Sequence, residues 1–157
     1  MKTWHIVSGV ALVVLIAFGY YAISPLFRNV RVDEALPEVK QVEEQTMGQP
    51  SSQIISASVV GTAAHPASGT ARIIDAGGKK YVRYENFKTI NGPDIYVYIA
   101  KDFNAKEFVN LGRVKATEGN INYEIPAGVD VAEYPYILTW CKAFGVLFNY
   151  ADLSVAR

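Results

Sequence analysis

The chain has 157 residues, with 15 basic and 15 acidic side chains that cancel to zero formal charge; half of the residues are hydrophobic and only 19% are charged. The basic residues form no cluster, which argues against nucleic acid as a partner, because binding phosphates requires a positive patch. One cysteine, Cys141, excludes an intrachain disulfide and a cysteine-rich zinc cluster.

The first element in chain order is an apolar run over residues 6–23, interrupted only by Ser8, Gly9, Gly19 and the pair Tyr20 and Tyr21. At about 1.5 Å per residue, a helix of this length approaches the roughly 30 Å hydrocarbon thickness of a bilayer. Trp4 and the two tyrosines stand where aromatic rings favour the interfaces. The run exceeds the roughly 7 to 15 apolar residues of a cleaved signal. A cut using Ala22 and Ser24 would also leave Pro25 as the first mature residue, so an uncleaved signal anchor is expected. No cysteine follows the run, which excludes a lipoprotein anchor. Lys2 and the amino terminus on one side face Arg28 and Arg31 on the other, so charge counting leaves the orientation open.

Residues 26–53 turn polar and are read as a linker between an anchor at 1–25 and a soluble domain at 54–157. A short helix over 36–44 is compatible with the spacing and is ended by Gln49, Pro50 and Ser51. From residue 54 onward, short β-rich runs recur near 54–60, 69–75, 80–86, 94–100, 108–114, 120–125, 136–141 and 144–150. This predicts an all-β domain, an antiparallel sandwich or barrel-like fold of about seven or eight strands. Asp75, Ala76, Gly77, Gly78 and Lys79 predict a tight hairpin, and Asn91, Gly92, Pro93 and Asp94 a second turn with Pro93 at a strand entrance. Tyr96 and Tyr98 fall on one strand face and Ile95, Val97 and Ile99 on the other.

An ordered series then carries a resemblance. It comprises His65, Pro66, Ala67, Ser68 and Gly69; Tyr84, Glu85, Asn86 and Phe87; Asn91 to Tyr98; Leu111 and Gly112; Gly119; Asn122 to Pro126; Trp140, Cys141 and Lys142; and Phe144, Val146, Phe148, Ala151 and Leu153. From about residue 57 to 154 the chain resembles the DM-thirteen domain, a family described as an electron-transfer module and found also in animal cell-surface proteins beside DOMON domains. The resemblance implies a β-rich domain outside the cytoplasm. It also implies that Cys141 serves redox chemistry, as a bare thiol or as ligand to a prosthetic group such as haem. The chain departs from the family at Val114, Lys115 and Ala116 and at Asn149, which are read as loop or strand-edge variation.

Cys141 on a strand would share a face with Thr139 and Ile137, while Trp140 and Lys142 point the other way. Lys142 is thus badly placed to assist the thiol. A thiol sealed among apolar residues reacts slowly, because the thiolate is the nucleophile, so structural packing competes with function at this position. His65 is the second candidate, since imidazole ligates haem or metals and activates thiols, although a histidine before Pro66 also suits a plain turn. His5 reads as interfacial, Asp94 and Asp130 as turn carboxylates, and the tyrosines as sheet packing, with a sticky aromatic face for a carbohydrate or protein as the other option.

No C-x-x-C, c-type haem attachment sequence, G-x-S-x-G, P-loop or paired histidines at metal spacing occurs, and no metal ligand is assigned. The expectation is a single-pass, membrane-anchored protein with its C-terminal domain outside the cytoplasm. Its role would be electron transfer or other redox chemistry centred on Cys141, with a redox partner protein. This makes it an electron-transfer or binding module rather than a stand-alone enzyme. The alternative is a non-catalytic surface-binding or adhesion domain in which Cys141 is core.

Overall fold

The computed structural model describes residues 2–24, 29–37 and 55–154. Helix α1, Lys2–Ile23, is apolar all round, and from Thr3 to Ile23 it is long and apolar enough to cross a membrane, with a mean hydropathy of 2.3 and none of that stretch buried against the protein. A helix without a polar face has no way to sit half in water and half on a core. The helix considered for residues 36–44 falls largely outside the described residues.

Two five-stranded sheets form the rest: β1 (Arg31–Asp33), β8 (Glu118–Ile125), β5 (Lys79–Thr89), β4 (Ala67–Ala76) and β2 (Ser56–Ser58) in one, and β3 (Val60–Gly61), β10 (Val146–Asp152), β9 (Tyr136–Cys141), β6 (Ile95–Ala100) and β7 (Phe108–Arg113) in the other. They pack as an open sandwich, and no barrel closes. The described strands number ten, against the seven or eight expected, for two reasons. The run at 54–60 splits at buried Val59, where the chain leaves the first sheet for the second. Residues 31–33, within the stretch read as linker, add a parallel strand beside β8. Gly119 makes that approach possible: a Cβ there would lie 2.0 Å from the Val32 carbonyl oxygen, and its φ of 114° suits only glycine.

The β4–β5 hairpin turns at Gly77 and Gly78, both at positive φ, as two-residue hairpins require. The inter-sheet interface is mainly apolar: Val82, Tyr84, Ile121 and Tyr123 of the first sheet meet Val97, Ile99, Ile137 and Ala151 of the second. The outer face of the second sheet is aromatic. Tyr98 is buried there because Phe108 stacks on it at 4.2 Å, and Phe103 covers Tyr136 and Tyr150. Strand alternation accounts for both layers, with Ile95, Val97 and Ile99 inward and Tyr96 and Tyr98 outward.

A polar network fastens β1 to the first sheet. Arg83, 6% exposed, donates to Glu85, to Asn122 Oδ1 and to the carbonyls of Glu34 and Ala35. Glu34 accepts from Lys115 Nζ at 3.0 Å and from the Asn122 amide at 2.7 Å. Burial works to raise the Glu34 carboxyl, but these hydrogen bonds and the Lys115 charge outweigh it and hold it below its ordinary value.

Candidate functional site

Cys141 ends β9 at one pole of the sandwich. Its inward direction follows from alternation: Ile137, Thr139 and Cys141 are all fully buried, while Trp140 lies half-buried in the outer aromatic layer. The thiol sits in a small apolar cluster with Ile95 and Phe148, against which Ile90 and Val114 pack. Ile95 faces Cys141 in the β6–β9 register, and Phe148 reaches the cluster from the irregularity in β10 between Leu147 and Asn149. Lys142 lies 5.6 Å from the Tyr96 ring centre on the outer side, remote from the inward-pointing thiol.

His65 comes to the same pole from a different segment. The chain after β3 reverses between Thr62 and His65, whose backbone amide donates to the Thr62 carbonyl at 3.1 Å. Gly61 allows this fold-back, because a Cβ there would lie 2.5 Å from the His65 carbonyl oxygen. The imidazole stacks on Phe148 with ring centres 3.9 Å apart and planes at 14°, and its Nδ1 shares a 2.8 Å hydrogen bond with Thr62 Oγ1. Burial holds the imidazole below its ordinary pKa and so favours the neutral ring. Phe148 is therefore the common neighbour of the two candidates: it packs with Cys141 on one side and stacks on His65 on the other. No hydrogen bond joins His65 to the thiol among the described residues.

A second group of buried polar side chains adjoins the thiol, and sequence reasoning missed it. Asn149, read as strand-edge variation, is instead fully buried, opposite Thr139 on β9 and Gly61 on β3. Its amide nitrogen donates to Thr89 Oγ1 at 2.9 Å across the interior, while its Oδ1 has no partner among the described residues, and Thr139 Oγ1 and the Tyr84 hydroxyl have only each other's weak contact. Burial pushes the Tyr84 phenol far above its ordinary range. The polar residue types were visible in the sequence, but alternation alone could not say which sheet face met the other.

The turn carboxylates behave as turn carboxylates. Asp94 pairs with Arg113, and Asp130 accepts from the Ala132 amide to cap a short 3-10 turn, Val131–Glu133. Among the described residues, no group of three histidines, cysteines or carboxylates could hold a metal ion.

A haem held by a cysteine needs its thiolate facing a slot wide enough for the macrocycle. Cys141 instead faces packed side chains, is 0% exposed and lines none of three clefts formed by the described residues, so these residues do not fit a haem. One of those clefts, lined by Gly92, Pro93, Ile95, Arg113 and Val114, lies just beyond Ile95 and Val114, which separate it from the thiol.

No curated protein and no solved structure matches the chain. A family model described as electron transfer DM13 matches residues 59–153, which contain His65, Phe148 and Cys141 and both sheets apart from β1 and β2. That stretch is more than half of the chain, and the chain belongs to the electron transfer DM13 family.

Proposed function

We propose that the protein is a membrane-anchored redox module, with α1 as an uncleaved anchor, its β domain outside the cytoplasm, and Cys141 acting as a bare thiol. The observation that carries this reading is the Phe148 ring, which stands against Cys141 while stacked on His65 near the surface. Movement of two rings would bring the thiol to a partner without opening the sheets. Because the chain has one cysteine, the second sulfur must come from another protein. The Cys141 thiolate, its proton lost to water, attacks one sulfur of a partner disulfide. A mixed disulfide forms and the other partner sulfur leaves as thiolate, so Cys141 is oxidised as the partner disulfide is reduced.

The complete burial of Cys141 favours a second reading, a surface-binding domain in which the thiol is packing. Thiol titration of the purified protein, native and unfolded, together with an absorption spectrum and metal analysis, separates the two. The redox reading expects one thiol that reacts in the native state and exchanges with a protein disulfide, with exchange lost in Cys141→Ser. A thiol that stays silent until the domain unfolds would leave the binding reading in its place.

A further inference from the structure

We propose that the pole of the sandwich carrying Cys141 rests on the bilayer, with the β9–β10 turn seated in the lipid headgroup region. The inference builds on the reading of α1 as a membrane anchor. It commits to one occupant, the surface of the membrane that α1 crosses.

Three observations point the same way. The first is covalent. Helix α1 ends at Ile23, and Val30 is already pinned to the domain: its amide donates to Thr117 Oγ1 at 3.0 Å and its carbonyl accepts from the amides of Thr117 and Glu118. Seven residues of chain reach at most about 25 Å. Val30 precedes β1 and meets the start of β8, which is the same pole at which β9 ends in Cys141 and β6 begins at Ile95. The opposite pole, at the Gly77–Gly78 turn, lies a full β5 strand away, about 36 Å for eleven residues at 3.3 Å each.

The second observation is placement. Tyr20 and Ser24, at the end of α1, line one cleft together with Gly92, Pro93, Ile95 and Arg113 of this pole. The third is surface chemistry. The turn between β9 and β10 carries Phe144, 48% exposed, beside Val146, 39% exposed, and Lys142 flanks them. An aromatic and an aliphatic side chain held out on a tight turn beside a cation suit the headgroup boundary, where the ring meets the upper acyl chains and the ammonium meets phosphate. One consequence is that a partner reaching Cys141 past Phe148 approaches along the membrane surface.

The test uses the full chain in phosphatidylcholine vesicles, with and without bromine on the upper acyl chains as a contact quencher. Three tryptophan reporters are compared: native Trp4 alone, in a Trp140→Phe protein, and Phe144→Trp or Ala127→Trp, each with both native tryptophans changed to phenylalanine. Ala127 is exposed at the far pole. The expected result is loss of emission on bromination for Trp4 and for the Phe144→Trp reporter, and none for Ala127→Trp. Trp4 quenched with the Phe144→Trp reporter unaffected would overturn the docking and leave the anchor standing, as would equal quenching at Phe144→Trp and Ala127→Trp. Unquenched Trp4 would overturn the anchor reading and the docking with it.

Discussion

Replacing His65 by alanine tests whether the thiol is gated or sealed. Phe148 is 4% exposed and must swing away before a reagent meets Cys141. Exposing one such side chain costs about 1.5–3 kcal/mol, so a gated thiol reacts roughly 10 to 200 times more slowly in the native protein than in the unfolded chain. If only global unfolding exposed it, at about 5 kcal/mol or more, the slowing would exceed about 4000-fold. His65 contributes the 3.9 Å stack and the Thr62 hydrogen bond that hold the ring closed. An aromatic stack is worth about 0.5–1.5 kcal/mol, so His65→Ala should speed native labelling about 2- to 13-fold. The assay is the absorbance of an aromatic disulfide reagent under pseudo-first-order conditions, with urea unfolding of both proteins to remove any change in global stability. A rate more than about a thousandfold suppressed and indifferent to His65→Ala would refute the gate and make Cys141 core.

Two further outcomes follow from the polar groups. Thr139→Val removes a fully buried hydroxyl whose one polar neighbour among the described residues is the weakly placed Tyr84 phenol, while keeping the side-chain shape, and should stabilise the domain by about 1 kcal/mol, read as a higher urea midpoint; a lower midpoint would mean the Tyr84 contact satisfies the hydroxyl. Glu34→Gln weakens the Lys115 and Asn122 contacts that fasten β1, and should lower stability by about 1 kcal/mol and speed amide exchange at Val32 and Asp33. Because the folded Glu34 carboxyl lies below its ordinary value of 4.5, its contribution is present above that pH and disappears as pH falls through the folded value. The same titration on Glu34→Gln should lack that component.

The sequence by itself determined the elements whose cause is local. Residues 6–23 had to be helical and apolar all round, since nothing in them offers a polar face. Glycines 77 and 78 dictated a hairpin because their backbone positions demand positive φ. Alternation along 95–99 and 136–141 placed isoleucine, valine, threonine and Cys141 inward and the aromatics outward before any strand was paired. The ordered motifs from His65 to Leu153 carried the family.

Only the tertiary structure decided what depends on partners distant in sequence. Strand β1 is three residues of unremarkable composition, and it exists because Arg83, Asn122 and Lys115, far along the chain, bind the backbone and side chain of Glu34 and the backbone of Ala35 just after it. Asn149 reads as an edge residue until β3 and β9 close on either side of it and Thr89 meets its amide from the other sheet. His65 and Cys141 lie 76 positions apart, and no periodicity links them. Phe148, which no motif singled out for chemistry, brings them to one pole, because sheet packing converts a side chain's direction into a contact only when both sheets are in place.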